Sequence, residues 1–215
     1  VRDTIAGLNA LRAAGIEADV AVGHSLGEIS ALFWAGCIDE ETAVRIAAKR
    51  GELMATLAQS NGAMAAVLAS QEETAVCIGD ETVYFAGINS PSQTVISGDL
   101  SAVSRVVEAA KARGIRTVML PVSHAFHSPL VAPAAAPLKE FLATCDLSPI
   151  HRRVISTVTG APLPPDEDVA QLLHRQVTSP VLFRTAIQHS GHVDLWIEVG
   201  PGRTLAGMTA ENGAP

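Results

Sequence analysis

Val20-Ala21-Val22-Gly23-His24-Ser25-Leu26-Gly27-Glu28 is the stretch on which the reading of this chain turns. A β-branched apolar run leads into Gly-x-Ser-x-Gly, and a helical pattern follows at once. That context makes the motif a sharp strand-to-helix elbow with Ser25 at its apex. Glycines are needed there because the turn packs backbone closely and leaves no room for Cβ atoms beside the serine. Ser25 then sits at a helix N-terminus, where free N–H groups can hold a developing oxyanion. The competing reading is a plain strand–loop–helix connection that contains a serine. The coincidence of strand, both glycines and helix favours the nucleophile.

Working outward, residues 1–14 place Val1, Ile5, Leu8 and Leu11 at helical spacing, with Gly15 as a C-cap. Ile16–Val22 reads as a buried parallel strand, and Leu26–Ala35 as the helix after the elbow. Asp39, followed by Glu40 and Glu41, is a good N-cap for the next helix. Ala43, Ile46, Ala47, Leu53, Met54 and Leu57 form its apolar stripe, and Arg50 falls in the middle of it. A buried guanidinium is costly unless it meets an anion, which is either a protein carboxylate or a ligand.

Beyond Gly62 the pattern changes. Ala63–Ala69, Thr82–Ile88, Gln93–Ser97 and Ile115–Val122 read as strands, with helices over Gln71–Ile78 and Ser101–Arg113. This β-α-β-β-α-β order suggests a ferredoxin-like subdomain over 62–123, inserted between two parts of a larger α/β unit, 1–61 and 124–215. In the last part, helices are expected over Pro133–Leu142, Val169–Gln176 and Pro180–Ser190, and strands over Val154–Val158 and Leu195–Val199.

The 215 residues are 48% apolar and 17% charged, as suits a folded protein with a sizeable core. A net charge of −7 argues against nucleic acid and an anionic membrane surface as partners. No apolar run approaches the length that spans a bilayer. Cys37, Cys77 and Cys145 are scattered, lack metal spacing and fit a reduced, cytoplasmic compartment. Val1 falls inside a helical pattern, so the start of the domain is expected upstream of it.

A serine nucleophile needs a base, usually a histidine. The candidates are His24, His124, His127, His151, His174, His189 and His192. His24 is expected to point to the opposite side of the turn from Ser25, and His189 and His192 read as surface groups. His124-x-x-His127 could suggest a metal, but no third ligand of matching type is near. His127, followed by Ser-Pro in a loop between subdomains, is well placed to overhang a cleft and leads by residue type alone.

Gly23-His24-Ser25-Leu26-Gly27-Glu28 resembles the active-site motif of malonyl-CoA:acyl carrier protein transacylases, and most of all the acyltransferase domains of modular or iterative polyketide synthases, enediyne-type synthases among them. His124-Ala125-Phe126-His127 matches the family's specificity and histidine motif, and Asn89-Ser90-Pro91 with Val95-Ile96-Ser97-Gly98 the strand pair of its small subdomain. Glu198-Val199-Gly200-Pro201-Gly202 matches the closing motif. The resemblance implies Ser25 as nucleophile, His127 as base and Arg50 as the group that binds the extender unit's free carboxylate. It implies the Leu26 N–H as an oxyanion donor, His24 and Phe126 beside the substrate, and a backbone carbonyl at Gln176 orienting the histidine. His-Ala-Phe-His accompanies malonyl in the family, because the Phe126 ring would occupy the space a methyl branch needs.

The implied fold is an α/β-hydrolase-like large subdomain with a parallel sheet, plus the ferredoxin-like insertion. The implied chemistry uses malonyl-CoA as substrate and no tightly bound cofactor. The acceptor is the phosphopantetheine thiol of an acyl carrier protein, with neighbouring polyketide synthase domains as partners. The family's opening strand and its Gly-Gln-Gly motif, which supplies a second oxyanion donor, have no counterpart among these residues. A segment carrying them is therefore expected as a further partner. Two other readings compete: a serine hydrolase or thioesterase of the α/β-hydrolase type, and a non-catalytic docking unit. The former keeps its histidine near the C-terminus, whereas His127 lies mid-chain.

Overall fold

The computed structural model describes residues 1–58 and 61–214. In chain order the first half holds α1 (Arg2–Ala13), β1 (Ala21–Gly23), α2 (Gly27–Trp34), α3 (Glu40–Leu57), β2 (Gly62–Val67), α4 (Gln71–Ile78), β3 (Val83–Ser90) and β4 (Gln93–Asp99). The second holds α5 (Leu100–Ala112), β5 (Thr117–Met119), a 3₁₀ segment (Pro129–Ala134), α6 (Ala135–Leu142), β6 (Val154–Ser156), α7 (Val169–Gln176), α8 (Phe183–His189) and α9 (Thr204–Glu211).

β1 and β6 pair in parallel, Ala21 opposite Val154 and Gly23 opposite Ser156. Helices pack around this pair through one apolar core that includes Ile29, Leu32, Ile46, Leu138, Leu142 and Leu172. Asp39 caps α3 as expected, accepting from the Thr42 N–H, and the buried face of α3 carries Ala43, Ile46, Arg50, Leu53 and Met54. Leu57 belongs to the same stripe by spacing, but it lies in the last turn, beyond the packed neighbours, and is exposed.

The other four strands form an antiparallel sheet in the order β3-β4-β2-β5. One face packs on α5 through Val103, Val106, Val107 and Ala110 against Ala63, Ala65, Val67 and Ile96. The opposite face carries Met64, Ala66, Ala86 and Val95, with Leu120 and Phe126 resting on them. Alternation along each strand sends successive side chains to these two faces, as the pleat requires. Strand order and the two helices reproduce the ferredoxin-like arrangement read from the sequence.

Two close approaches join the halves. Val181 bonds to the outer edge of β3, its N–H to the Ala86 carbonyl at 2.9 Å and its carbonyl to the Ile88 N–H at 2.8 Å. Gly62, at the start of β2, runs so close to the His124-Ala125 backbone that any Cβ would strike it.

Two expected strands are much shorter than their apolar patterns and a third does not form. Of Ile16–Val22 and Ile115–Val122 only 21–23 and 117–119 join a ladder, and Leu195–Val199 joins none. A strand exists by hydrogen bonding to a neighbour, and along residues 16–20 and 195–199 no such neighbour stands among the described residues. A groove of about 1040 Å³ runs there instead, between α1, the β1 stretch and residues 192–201. Leu195 and Ile197 are 72% and 47% exposed. Among the described residues, no helix is long and apolar enough to cross a membrane.

Candidate active site

The elbow is made by backbone geometry before any side chain acts. Ser25 adopts φ +51° between the end of β1 and the start of α2. A Cβ on Gly23 would lie 2.5 Å from the Glu28 nitrogen and the Gly27 carbonyl group, so only glycine fits. The Gly27 and Glu28 N–H groups bond back to the His24 and Ser25 carbonyls, each at 2.9 Å. The Leu26 N–H donates to no carbonyl among the described residues and stays available beside Ser25.

His127 comes to Ser25 from the loop after β5. Its backbone is also left-handed, φ +59°, and the loop is held by Ser128, whose hydroxyl donates to the Ala125 carbonyl at 2.6 Å. The Ser25 hydroxyl and His127 Nε2 are 2.7 Å apart. Nδ1 lies 2.8 Å from the Ser179 carbonyl, which can only accept. That contact puts the ring proton on Nδ1 and leaves Nε2 free to take the serine proton. Burial, and then the positive charge of Arg50, push the His127 pKa down to about 4. The ring is therefore neutral at neutral pH and competent as a base.

Among the described residues, Arg50 meets no protein anion. It is 8% exposed, its Nε has no hydrogen-bond partner among the described residues, and burial alone pulls its pKa down to about 10. The structural ion pair considered for it is thus not made. Its charge instead reaches the His127 ring. α3 supplies this because residue 50 shares a helical face with Ile46 and Met54.

The other expected site residues fall differently. Gln176 does not provide the carbonyl hydrogen-bonded to His127: that is Ser179, three residues on, just past the end of α7, and the Gln176 carbonyl acts on the ring only weakly. The Gln176 side chain instead donates from Nε2 to the Ser25 carbonyl at 3.0 Å. His24 Nε2 lies 2.9 Å from Asn89 Oδ1, and its ring meets Phe183 edge-on at 5.5 Å. It ties the elbow to β3. Phe126 is half-buried and packs against both the large core and the open face of the β2–β5 sheet, so it sits at the seam that the histidine loop crosses.

Glu28 went unnoticed in the sequence. It is fully buried, and its Oε1 accepts from the Thr157 N–H, the Thr157 hydroxyl and the Ser156 hydroxyl. Burial raises its pKa to about 7. It fastens the first turn of α2 to the end of β6. A carboxylate at a helix N-terminus usually signals a solvated first turn, so nothing in the sequence marked it as buried. The large groove is a different place from this site: Gly23 and His24 line it, whereas Ser25, Arg50 and His127 do not. Among the described residues, no three His, Cys, Asp or Glu groups stand together in a way that could hold a metal ion.

An α/β protein with a serine on a strand-to-helix elbow, a histidine hydrogen-bonded to it and an unpaired guanidinium beside them belongs to the class built for acyl transfer through a serine. The chain is a member of the acyl transferase domain family, whose model matches residues 4–212. It is 39% identical to the malonyl CoA-acyl carrier protein transacylase of Bacillus subtilis, over 95% of this chain and 68% of that one. It is 37% identical to the polyketide synthase GfsB of Streptomyces halstedii over 90% of this chain, a match that takes in 4% of the synthase. Among solved structures, the acyltransferase domain of an iterative polyketide synthase in enediyne biosynthesis superposes with a TM-score of 0.93 at 38% identity, covering 99% of this chain and 57% of that one. The chain thus spans between about half and two thirds of the acyltransferases it resembles.

Proposed function

We propose that this chain moves a malonyl unit from malonyl-CoA to the phosphopantetheine thiol of an acyl carrier protein, in the setting of polyketide synthesis. The observation that carries the proposal is the buried, anion-less Arg50 next to a hydrogen-bonded Ser25–His127 pair. A guanidinium kept free of protein carboxylates suits a substrate whose second carboxylate must stay ionised and untouched. A solved relative, a malonyl-transacylase in complex with a type II polyketide synthase acyl-carrier protein, superposes with a TM-score of 0.90 and supports the partner.

In this mechanism His127 Nε2 takes the Ser25 proton as Oγ attacks the thioester carbonyl. The tetrahedral oxyanion is held by the Leu26 N–H at the head of α2. Coenzyme A leaves as the thiol once the imidazolium returns the proton, and malonyl stays on Ser25 as an ester. The carrier thiol, deprotonated by the same histidine, then attacks that ester and regenerates Ser25. Arg50 fixes the acyl group through its carboxylate in both halves. The tautomer set by Ser179 serves both proton transfers, and neither half-reaction needs a further cofactor.

The test is intact mass after incubation with malonyl-CoA alone. A stable malonyl adduct is expected, absent in Ser25→Ala and formed ~10²–10⁴-fold more slowly in His127→Ala. Turnover to free malonate with no adduct would identify a hydrolase. No reaction at all would identify a docking unit.

A further inference from the structure

Ser25 is held in a conformation that non-glycine residues seldom adopt, at φ +51°, and something must over-determine it. Two groups grip its carbonyl: the Glu28 N–H of the elbow itself at 2.9 Å, and Gln176 Nε2 at 3.0 Å, from the far end of the chain. Gln176 is 1% exposed. Its other terminal atom, Oε1, is buried and has no partner among the described residues. A glutamine satisfied at one end only is a poor choice for stability, because a methionine of similar volume would fill the space and leave no buried acceptor unpaired. What the amide does supply is one N–H aimed at the carbonyl of the nucleophile. Three residues later, the Ser179 carbonyl takes the His127 Nδ1 proton.

We infer that the Gln176 side chain is a positioning residue for acyl transfer. By holding the Ser25 carbonyl it keeps that residue left-handed, with Oγ pointed at His127 Nε2. The end of α7 then sets both partners, the serine through the Gln176 side chain and the histidine through the Ser179 carbonyl. A small shift of α7 moves the two together and preserves their 2.7 Å contact. The inference rests on the reading of Ser25 and His127 given above. It goes beyond that reading in assigning a distant, non-reacting side chain to the geometry of the nucleophile.

The experiment compares Gln176→Met and Gln176→Glu with the parent, by single-turnover malonylation of Ser25 at saturating malonyl-CoA across pH 5–8.5, together with thermal unfolding. Gln176→Met should unfold at or above the parent temperature yet acylate ~10–100-fold more slowly, with little change in KM, because misplacement of about an ångström costs that much. Gln176→Glu should show a new pH dependence. As a neutral acid its O–H can replace the amide donor, and as a carboxylate it cannot, so its rate relative to the parent should rise as pH falls. Parent-like acylation by folded Gln176→Met, or a Gln176→Glu profile parallel to the parent's, would overturn the inference. If Gln176→Met does not fold, the Gln176→Glu profile decides; if neither variant folds, Gln176 is purely structural and the inference is wrong. Ser25→Ala serves as the control: labelling that persists in it removes the underlying reading of the nucleophile rather than this one.

Discussion

Replacing Arg50 with methionine tests the site most sharply, because it should improve the fold while damaging the reaction. Burial pulls the Arg50 pKa down to about 10, with no compensating anion among the described residues. Each pKa unit is ~1.36 kcal/mol, so holding this charge in the free protein costs roughly 3 kcal/mol. Methionine covers much of the same volume without the charge, and the variant should unfold several degrees higher. Malonyl transfer should suffer the opposite effect, because the substrate carboxylate would enter a buried site with no partner. Loss of one member of such a pair typically costs about 2–5 kcal/mol, or ~30-fold to several thousand-fold in acylation rate. Acetyl-CoA carries no second charge and should be spared, so the malonyl-to-acetyl ratio collapses. A third effect has a fixed sign. Arg50 is one of the groups that lower the His127 pKa. Its removal lets that pKa rise from about 4 toward the ordinary value, and the acidic limb of the acetylation profile should move to higher pH. The assays are calorimetry, and intact-mass rates with each thioester. A variant that melts below the parent and keeps the parent's malonyl-to-acetyl ratio would mean that Arg50 is structural and that the argument fails.

Gly23→Ala places a methyl group against the Glu28 and Gly27 backbone, and Gly62→Ala places one against the histidine loop. Each should lose at least ~1–3 kcal/mol in urea unfolding, with Gly23→Ala also losing malonylation. Phe126→Ser should relax acyl selection toward methylmalonyl-CoA, by up to the roughly 10- to 200-fold that one methyl group is worth, in a competition between the two thioesters. Glu28→Gln should change the pH dependence of stability. With a folded pKa of about 7 against 4.5, the neutral form is favoured by folding, so this group's contribution is full below pH 4.5 and fades as pH rises to 7. His127 acts in the opposite sense: its contribution is full above 6.5 and is lost as pH falls toward 4. Subtracting the Glu28→Gln curve from the parent's should isolate a decline between pH 4.5 and 7, and a flat difference would show that Glu28 is ionised throughout.

The elbow, the α3 helix with its buried arginine, α7 and the ferredoxin-like order of strands were all legible in the sequence. Each is written in short-range terms. Gly23 marks a turn where no Cβ fits, whereas a Cβ at Gly27 would meet open space; Asp39 marks a cap, and the apolar positions on either side of Arg50 mark a face. His127 could be favoured but not settled among seven histidines, since what separates it from His124 is which ring comes within 2.7 Å of Ser25 Oγ. Three further facts belong to the tertiary structure alone. Ser179, not Gln176, holds the histidine, because the loop after α7 brings that carbonyl to Nδ1. Glu28 is buried because β6, some 128 residues away in sequence, closes over the first turn of α2. Ile16–Val20 and Leu195–Val199 have the composition of strands and are not strands, because a strand is completed by its neighbour. The sequence alone determined the parts whose geometry depends on a few adjacent residues. The tertiary structure decided which distant groups meet, since hydrogen-bond partners and burial are properties of packing, which no local pattern encodes.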